Sequence, residues 1–92
     1  MSIANLVSKY ILSAEKVLKE IQRNDKLCIT SKNIDNVIKY IEDYLKDAKY
    51  YRDQKKFETS LTSIAYCEGL LDALKIMGLV NFDWPNNVEK KK

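Results

Sequence analysis

Glu68 and Asp72 are the carboxylates best placed to do chemistry, because both fall inside the apolar run SIAYCEGLLDAL, residues 63–74. Residues four apart share one face of a helix, so the two could hold a hard cation or bind a polar ligand. A carboxylate at a helix seam must otherwise be paired or hydrogen-bonded, and tyrosine hydroxyls could satisfy Glu68 for structural reasons alone. Two carboxylates are a weak metal signal, so we predict no metal site.

Gly69 lies between these carboxylates, although glycine costs about 1 kcal/mol relative to alanine inside a helix. The simplest reason for a glycine there is close approach of a neighbouring side chain, such as a tyrosine, or of a second subunit. A ligand or partner site at this position would combine the glycine and carboxylates with nearby tyrosines. Its candidate residues are Glu68, Gly69, Asp72, Tyr66, Tyr44 and Tyr51.

A basic cluster is the second candidate site, because lysine and arginine bind phosphate groups and tyrosines can stack on bases. The cluster comprises Lys49, Arg52, Lys55 and Lys56. The net charge is only +3, from 16 basic and 13 acidic residues, which is far from the dense positive field of a dedicated nucleic-acid binder. Lysines at a turn are more often simply solvated, so we expect a protein partner or a second copy rather than nucleic acid.

Several activities are excluded by what the chain lacks. It contains no histidine, which excludes Ser-His and Cys-His dyads, histidine acid–base catalysis and His-ligated metals. No glycine-rich phosphate-binding motif occurs. Cys28 and Cys67 form no Cys-x-x-Cys pair, so they predict neither a disulfide framework nor a zinc site, only small apolar core residues. We therefore predict a protein that is not an enzyme and needs no cofactor.

Three helices are predicted to position these residues, because the two glycines and the single proline all fall in the last quarter of the chain. The predicted helices span about residues 2–23, 32–53 and 56–77. Apolar residues recur at spacings of four and three in the first two. The first stripe is Ile3, Val7, Tyr10, Ala14, Val17 and Ile21, flanked by Leu6, Ile11 and Leu18. The second is Ile34, Ile38, Ile41, Leu45, Ala48 and Tyr51, reinforced by Val37 and Tyr44.

The third helix has a much wider apolar arc, which predicts two neighbouring helices. Gly78 is expected at its left-handed C′ position, with the following Leu79 contacting Leu74 in a Schellman cap. The segment LVNFDWP should then fold back, with Trp84 covering apolar surface.

The connections between the helices carry their own signals. Thr30 or Ser31 can cap the second helix. The apolar residues Leu27, Cys28 and Ile29 are expected to close one end of the core.

The predicted architecture is all-α: an antiparallel up-down-up three-helix bundle with a short C-terminal fold-back tail. Residues 1–85 form its single domain and 86–92 a flexible Lys-rich tail. In an alternative packing the first helix pairs with another copy, which gives a dimer of helical hairpins. No run approaches the roughly 18 apolar residues of a membrane span and the amino terminus has no signal-like apolar region, so we expect a cytoplasmic protein.

The second half of the chain resembles short archaeal proteins of the family known as domain of unknown function 357. The resemblance rests on an Asp-Ala-Tyr element, an I-x-Y-x-x-G-x-L-D-A helix and a closing L-G-L in which methionine replaces the first leucine. The matching positions are Asp47, Ala48, Tyr50, Ile64, Tyr66, Gly69, Leu71, Asp72, Ala73, Met77, Gly78 and Leu79. The resemblance implies a small three-helix bundle with no established activity.

The sequence thus favours a non-enzymatic helical interaction module, which binds a protein partner or another copy through an apolar helix face or groove. The alternative is an accessory domain that binds a ligand or RNA through Glu68, Asp72 and the neighbouring tyrosines and lysines. An exposed apolar patch would favour the first function, and a polar pocket with Glu68 and a tyrosine hydroxyl would favour the second.

Overall fold

The computed structural model describes residues 2–24 and 26–85, and this part of the chain contains three helices and no strand. The helices are α1 (Ile3–Glu20), α2 (Ser31–Asp53) and α3 (Phe57–Ile76). The predicted all-α three-helix fold class is confirmed, with extensive contact between α2 and α3. The tail predicted at residues 86–92 lies outside the described residues.

Side-chain caps fix where α1 and α2 begin. The hydroxyl of Ser2 accepts a hydrogen bond of 3.1 Å from the backbone N–H of Asn5. At α2, the Thr30 hydroxyl accepts from the Asn33 N–H at 3.1 Å, while the Thr30 N–H donates to Asn33 Oδ1 at 2.9 Å. This reciprocal capping box satisfies two donors that a helix start leaves open. Of the two predicted caps Thr30 is the one used, and Ser31 is the first helical residue.

The helices α2 and α3 form an antiparallel hairpin joined by residues 54–56. At the closed end of the hairpin, Ser60 Oγ donates a 2.7 Å hydrogen bond to the Ala48 carbonyl. In the turn, Lys55 has a φ of 60° and its N–H donates to the Arg52 carbonyl, while the Lys56 N–H donates to the Tyr51 carbonyl. These two bonds form a Schellman cap with a lysine in the left-handed position that usually holds glycine.

The core lies between α2 and α3 and is small. Its buried side chains are Ile41, Ala48, Cys67 and Leu74. Partly buried apolar residues surround three of them: Val37, Ile38, Tyr44, Ile64, Leu70, Leu71, Leu79 and Val80. The predicted burial of Cys67 is confirmed, whereas that of Cys28 is wrong, because Cys28 is exposed.

The end of α3 and the segment after it fold back as the sequence predicts. Gly78 has a φ of 75°, its N–H donates to the Lys75 carbonyl, and the Leu79 N–H donates to the Leu74 carbonyl at 3.0 Å. This is the predicted Schellman cap. Leu79 then packs against the core, and the Trp84 ring contacts Phe82 edge-on, with ring centroids 5.1 Å apart.

Helix α1 packs against neither α2 nor α3, and none of its residues is buried. Its apolar stripe, expected to face the core, is exposed along its length: Tyr10 is 63 % exposed and Val17 56 %. The prediction that the connection between α1 and α2 closes one end of the core is likewise wrong for Leu27, which is 89 % exposed. The second neighbour that the wide apolar arc of α3 predicts is therefore not α1 of the same chain.

Candidate functional site

The predicted site around Glu68 does not form as one unit. Glu68 and Tyr66 are two residues apart, so their side chains leave α3 about 200° apart. Tyr66 faces the α2 flank that carries Tyr44, with ring centroids 4.4 Å apart at an interplanar angle of 65°. The prediction that Glu68 and these tyrosines share a site is wrong, because the geometry of α3 places them on different flanks.

Glu68 is half-buried beside the core residue Cys67. Burial raises the pKa of the Cys67 thiol, and the negative charge of Glu68 raises it further. Cys67 is thus held as a neutral thiol, which suits an apolar core residue and not a nucleophile.

Asp72 is engaged in holding the fold-back segment. Its Oδ1 accepts a 2.9 Å hydrogen bond from the indole Nε1–H of Trp84. One turn further along α3, Lys75 pairs with Asp83 at 3.7 Å and lies over the Phe82 ring, 5.0 Å from its centroid. These polar side chains tie residues 82–84 to α3, which gives Asp72 a structural role that sequence spacing did not reveal.

Gly69 lies on an exposed part of α3. In the part of the chain that the structure describes, no atom outside the local helix backbone and the two adjoining residues lies within 4 Å of a Cβ built at this position. The predicted close approach of a tyrosine or of another helix of this chain is therefore wrong, because the neighbouring space is open.

The tyrosines define a different surface, which we call the tyrosine groove, along one flank of the α2–α3 hairpin. Spacings of three, four and seven put its members on one face of each helix. They are Val37, Tyr40 and Tyr44 from α2, with Tyr66, Leu70 and Met77 from α3. Tyr40 is 61 % exposed and Met77 56 %, so apolar and aromatic surface faces solvent along this flank. Tyr51, from the predicted site, shares the α2 face of Tyr44 and contacts Tyr50 edge-on at 5.2 Å.

An apolar cavity of about 220 Å³ extends the tyrosine groove at the open end of the hairpin. Val37 and Met77 belong to both features. The cavity is lined by Ile29, Asn33, Ile34, Val37, Leu74, Met77 and Leu79. The sequence stripe of α2 contains Ile34 and Val37, but only the packing of the hairpin shows that they border a cavity.

The predicted basic cluster lies at the opposite, closed end of the hairpin. Lys49 and Arg52 line one shallow groove, and Lys55 and Lys56 line another with Glu58. Arg52 also hydrogen-bonds Asp53 at 3.1 Å. The four basic residues therefore line two separate grooves, and Asp53 and Glu58 interrupt their positive field.

In residues 2–24 and 26–85, no group of three or more His, Cys, Asp or Glu side chains is placed to hold a metal ion. Within the same two ranges, every helix is too short or too polar to cross a membrane.

A further candidate surface is the stripe of α1. Its alternating spacing of four and three is visible in the sequence, but the same spacing also suits a helix that faces a core. Its exposure makes it a candidate interaction surface, since monomers rarely expose a continuous apolar strip.

A family model described as "Protein of unknown function (DUF357)" matches residues 9–80, which is more than half of the chain. The match includes most of α1 and all of α2 and α3. Among curated proteins and among solved structures, none matches this chain significantly. The chain therefore belongs to the DUF357 family.

Proposed function

We propose that this protein is a helical interaction module that binds a protein through the apolar face of α1 and the tyrosine groove. The observation that carries the proposal is the exposed stripe of α1, which packs against neither α2 nor α3. The module has no catalytic role in this proposal. It acts in the cytoplasm, where the two free cysteines remain reduced.

The physical argument begins with the stability of α1. A single helix of 18 residues is marginal in water, because most helical stability in proteins comes from packing of an amphipathic face. The Ser2 cap and the exposed Lys16–Glu20 ion pair, at 2.7 Å, add little. A partner that covers the stripe would supply the stabilisation that α1 lacks within its own chain.

The hairpin also presents apolar surface. Tyr40, Tyr66 and Met77 are each more than half exposed along the tyrosine groove, and the apolar cavity continues it. Aromatic residues and methionine are enriched at protein interfaces. This composition favours a protein over RNA, whose phosphates would instead need the basic cluster at the closed end.

The proposal is tested by capture of tagged full-length protein and its partners from lysate of the source organism, with and without nuclease, and identification by mass spectrometry. The test variant is Val7→Asp, within the stripe. Leu12→Asp is the matched control, because Leu12 lies on the opposite face of α1 at similar exposure, 66 % against 52 % for Val7.

We expect a nuclease-resistant protein, either a second copy or another chain, to be captured by the parent and by Leu12→Asp but lost with Val7→Asp. If nuclease treatment abolished capture, the result would contradict the proposal. It would favour RNA binding at Lys49, Arg52, Lys55 and Lys56. If Val7→Asp captured the same protein as the parent, α1 would not be part of the interface.

A further inference from the structure

We propose that the partner is a second copy of this chain, and that each copy docks its α1 into the tyrosine groove of the other. The inference rests on the proposed function and names its partner. The resulting dimer is reciprocal: the same two surfaces meet twice, as twofold symmetry requires.

The apolar face of α1 is wide enough for a groove. The stripe repeats at the three- and four-residue spacing of a coiled coil, and the positions beside the stripe are also apolar. They hold Leu6, Ile11 and Leu18, while Lys16 and Lys19 lie on the far side. A face of this width contacts two helices at once. The tyrosine groove, between α2 and α3, offers two.

The connection between α1 and α2 favours docking on another copy. Residue Ile21, at the end of α1, has φ −65° and ψ 148°, and Thr30, before α2, has φ −103° and ψ 164°, so the chain enters and leaves the connection in extended conformation. A segment of this length reaches up to roughly 30 Å when extended. The connection leaves α1 out of contact with its own hairpin, as the hinge loop does in a domain-swapped dimer.

The exposed surface is large enough for such a dimer. The chain exposes 8501 Å², whereas a compact monomer of 10.7 kDa would expose about 5,500 Å². The excess of about 3,000 Å² per copy is spread over the whole chain and is not confined to α1 and the tyrosine groove, but it is several times the roughly 800 Å² that each partner contributes to a standard stable interface.

The experiment measures the mass of the full-length protein by light scattering after gel filtration, over a range of concentrations. The variant Val7→Asp introduces a charge into the apolar face of α1, and Leu12→Asp is its control. The variant Tyr40→Asp introduces a charge into the tyrosine groove. Its control is Tyr50→Asp, because Tyr50 has nearly equal exposure, 59 % against 61 % for Tyr40, but lies on the opposite face of α2 from the buried Ile41. Circular dichroism checks that each variant keeps its helices.

We expect the parent and both controls to have twice the mass of one chain. Val7→Asp and Tyr40→Asp should each weaken dimerisation at least about tenfold. The two damaged variants should then form a dimer when mixed, because the intact α1 of one fits the intact groove of the other. The mixed dimer retains one of the two interfaces.

Other outcomes overturn the inference. A parent that is monomeric at every concentration excludes the second copy, whether α1 folds onto its own hairpin or binds another protein. A dimer whose damaged variants do not complement each other excludes exchange into the groove and favours α1 pairing with α1. Loss of another captured protein with Val7→Asp would leave the proposed function standing when this inference fails.

Discussion

The indole of Trp84 donates a 2.9 Å hydrogen bond to the carboxylate of Asp72, which joins the segment after α3 to α3 itself. The contact gives Asp72 a role in the fold, which explains one of the two carboxylates in the apolar run of residues 63–74. Beside it, Lys75 contacts Phe82 and Asp83 of the same segment.

This hydrogen bond should be measurable in a double-mutant cycle of Trp84→Phe, Asp72→Ala and the double variant. We expect a coupling energy of about 1 kcal/mol, the usual net contribution of one hydrogen bond. The free energies of unfolding come from urea denaturation followed by circular dichroism. The control is Asp83→Asn, which should change stability little because its partner Lys75 is 3.7 Å away and Asp83 is fully exposed. Strict additivity of the two single variants would show that the bond contributes nothing.

The two glycines should respond in opposite directions to alanine. Gly69→Ala should stabilise the protein by about 1 kcal/mol, because alanine is the better helix former and the space for its Cβ is open. Gly78→Ala should destabilise it by about 1 kcal/mol, because Gly78 has a φ of 75°. Urea denaturation of both variants provides the comparison. A destabilised Gly69→Ala variant would reveal a close contact at Gly69 that the single chain does not show.

Lys55 holds a backbone conformation that suits glycine, with a φ of 60°. Lys55→Gly should therefore raise the free energy of unfolding by about 1 kcal/mol. Lys55→Ala is the matched control, since it removes the same charge but keeps a Cβ in the left-handed region. If both variants changed the free energy of unfolding equally, the change would come from removal of the Lys55 charge and not from the backbone conformation.

The two cysteines should differ strongly in alkylation. Cys28 is exposed, whereas Cys67 is buried and its thiol pKa is raised by burial and by Glu68. Since the thiolate is the reactive form, iodoacetamide should modify Cys28 first and Cys67 only after unfolding, as peptide mass spectrometry would show. Equal rates in the native protein would contradict the buried position of Cys67.

The raised pKa of Cys67 also fixes the sign of a pH effect. The folded chain holds this proton more tightly than the unfolded chain does, so the free energy of unfolding should fall as pH rises from the ordinary thiol pKa towards the raised one.

The helices and their ends were predictable because their signals are local. The stripe of α2, the Thr30 cap and the left-handed Gly78 depend on residues within a few positions of one another. Lys55 was not predictable in the same way, because lysine carries no preference for a positive φ. Its conformation is imposed by the short connection between two packed helices.

The candidate site was harder to predict because it depends on which face meets which neighbour. The opposite directions of Glu68 and Tyr66 follow from helix geometry alone, but the ring contact of Tyr66 with Tyr44 depends on the register of α2 against α3. For α1, periodicity identifies the apolar face and not the surface that covers it. The same stripe suits an internal core or an exposed interface.

The three-residue turn between α2 and α3 has a consequence for folding speed. The hairpin joins helices that follow one another directly, so its contacts close short loops and its contact order is low. The hairpin should consequently fold in microseconds to milliseconds, at a rate independent of protein concentration. The proposed docking of α1 on a second chain would be bimolecular, so it should appear as a later phase whose rate rises with concentration.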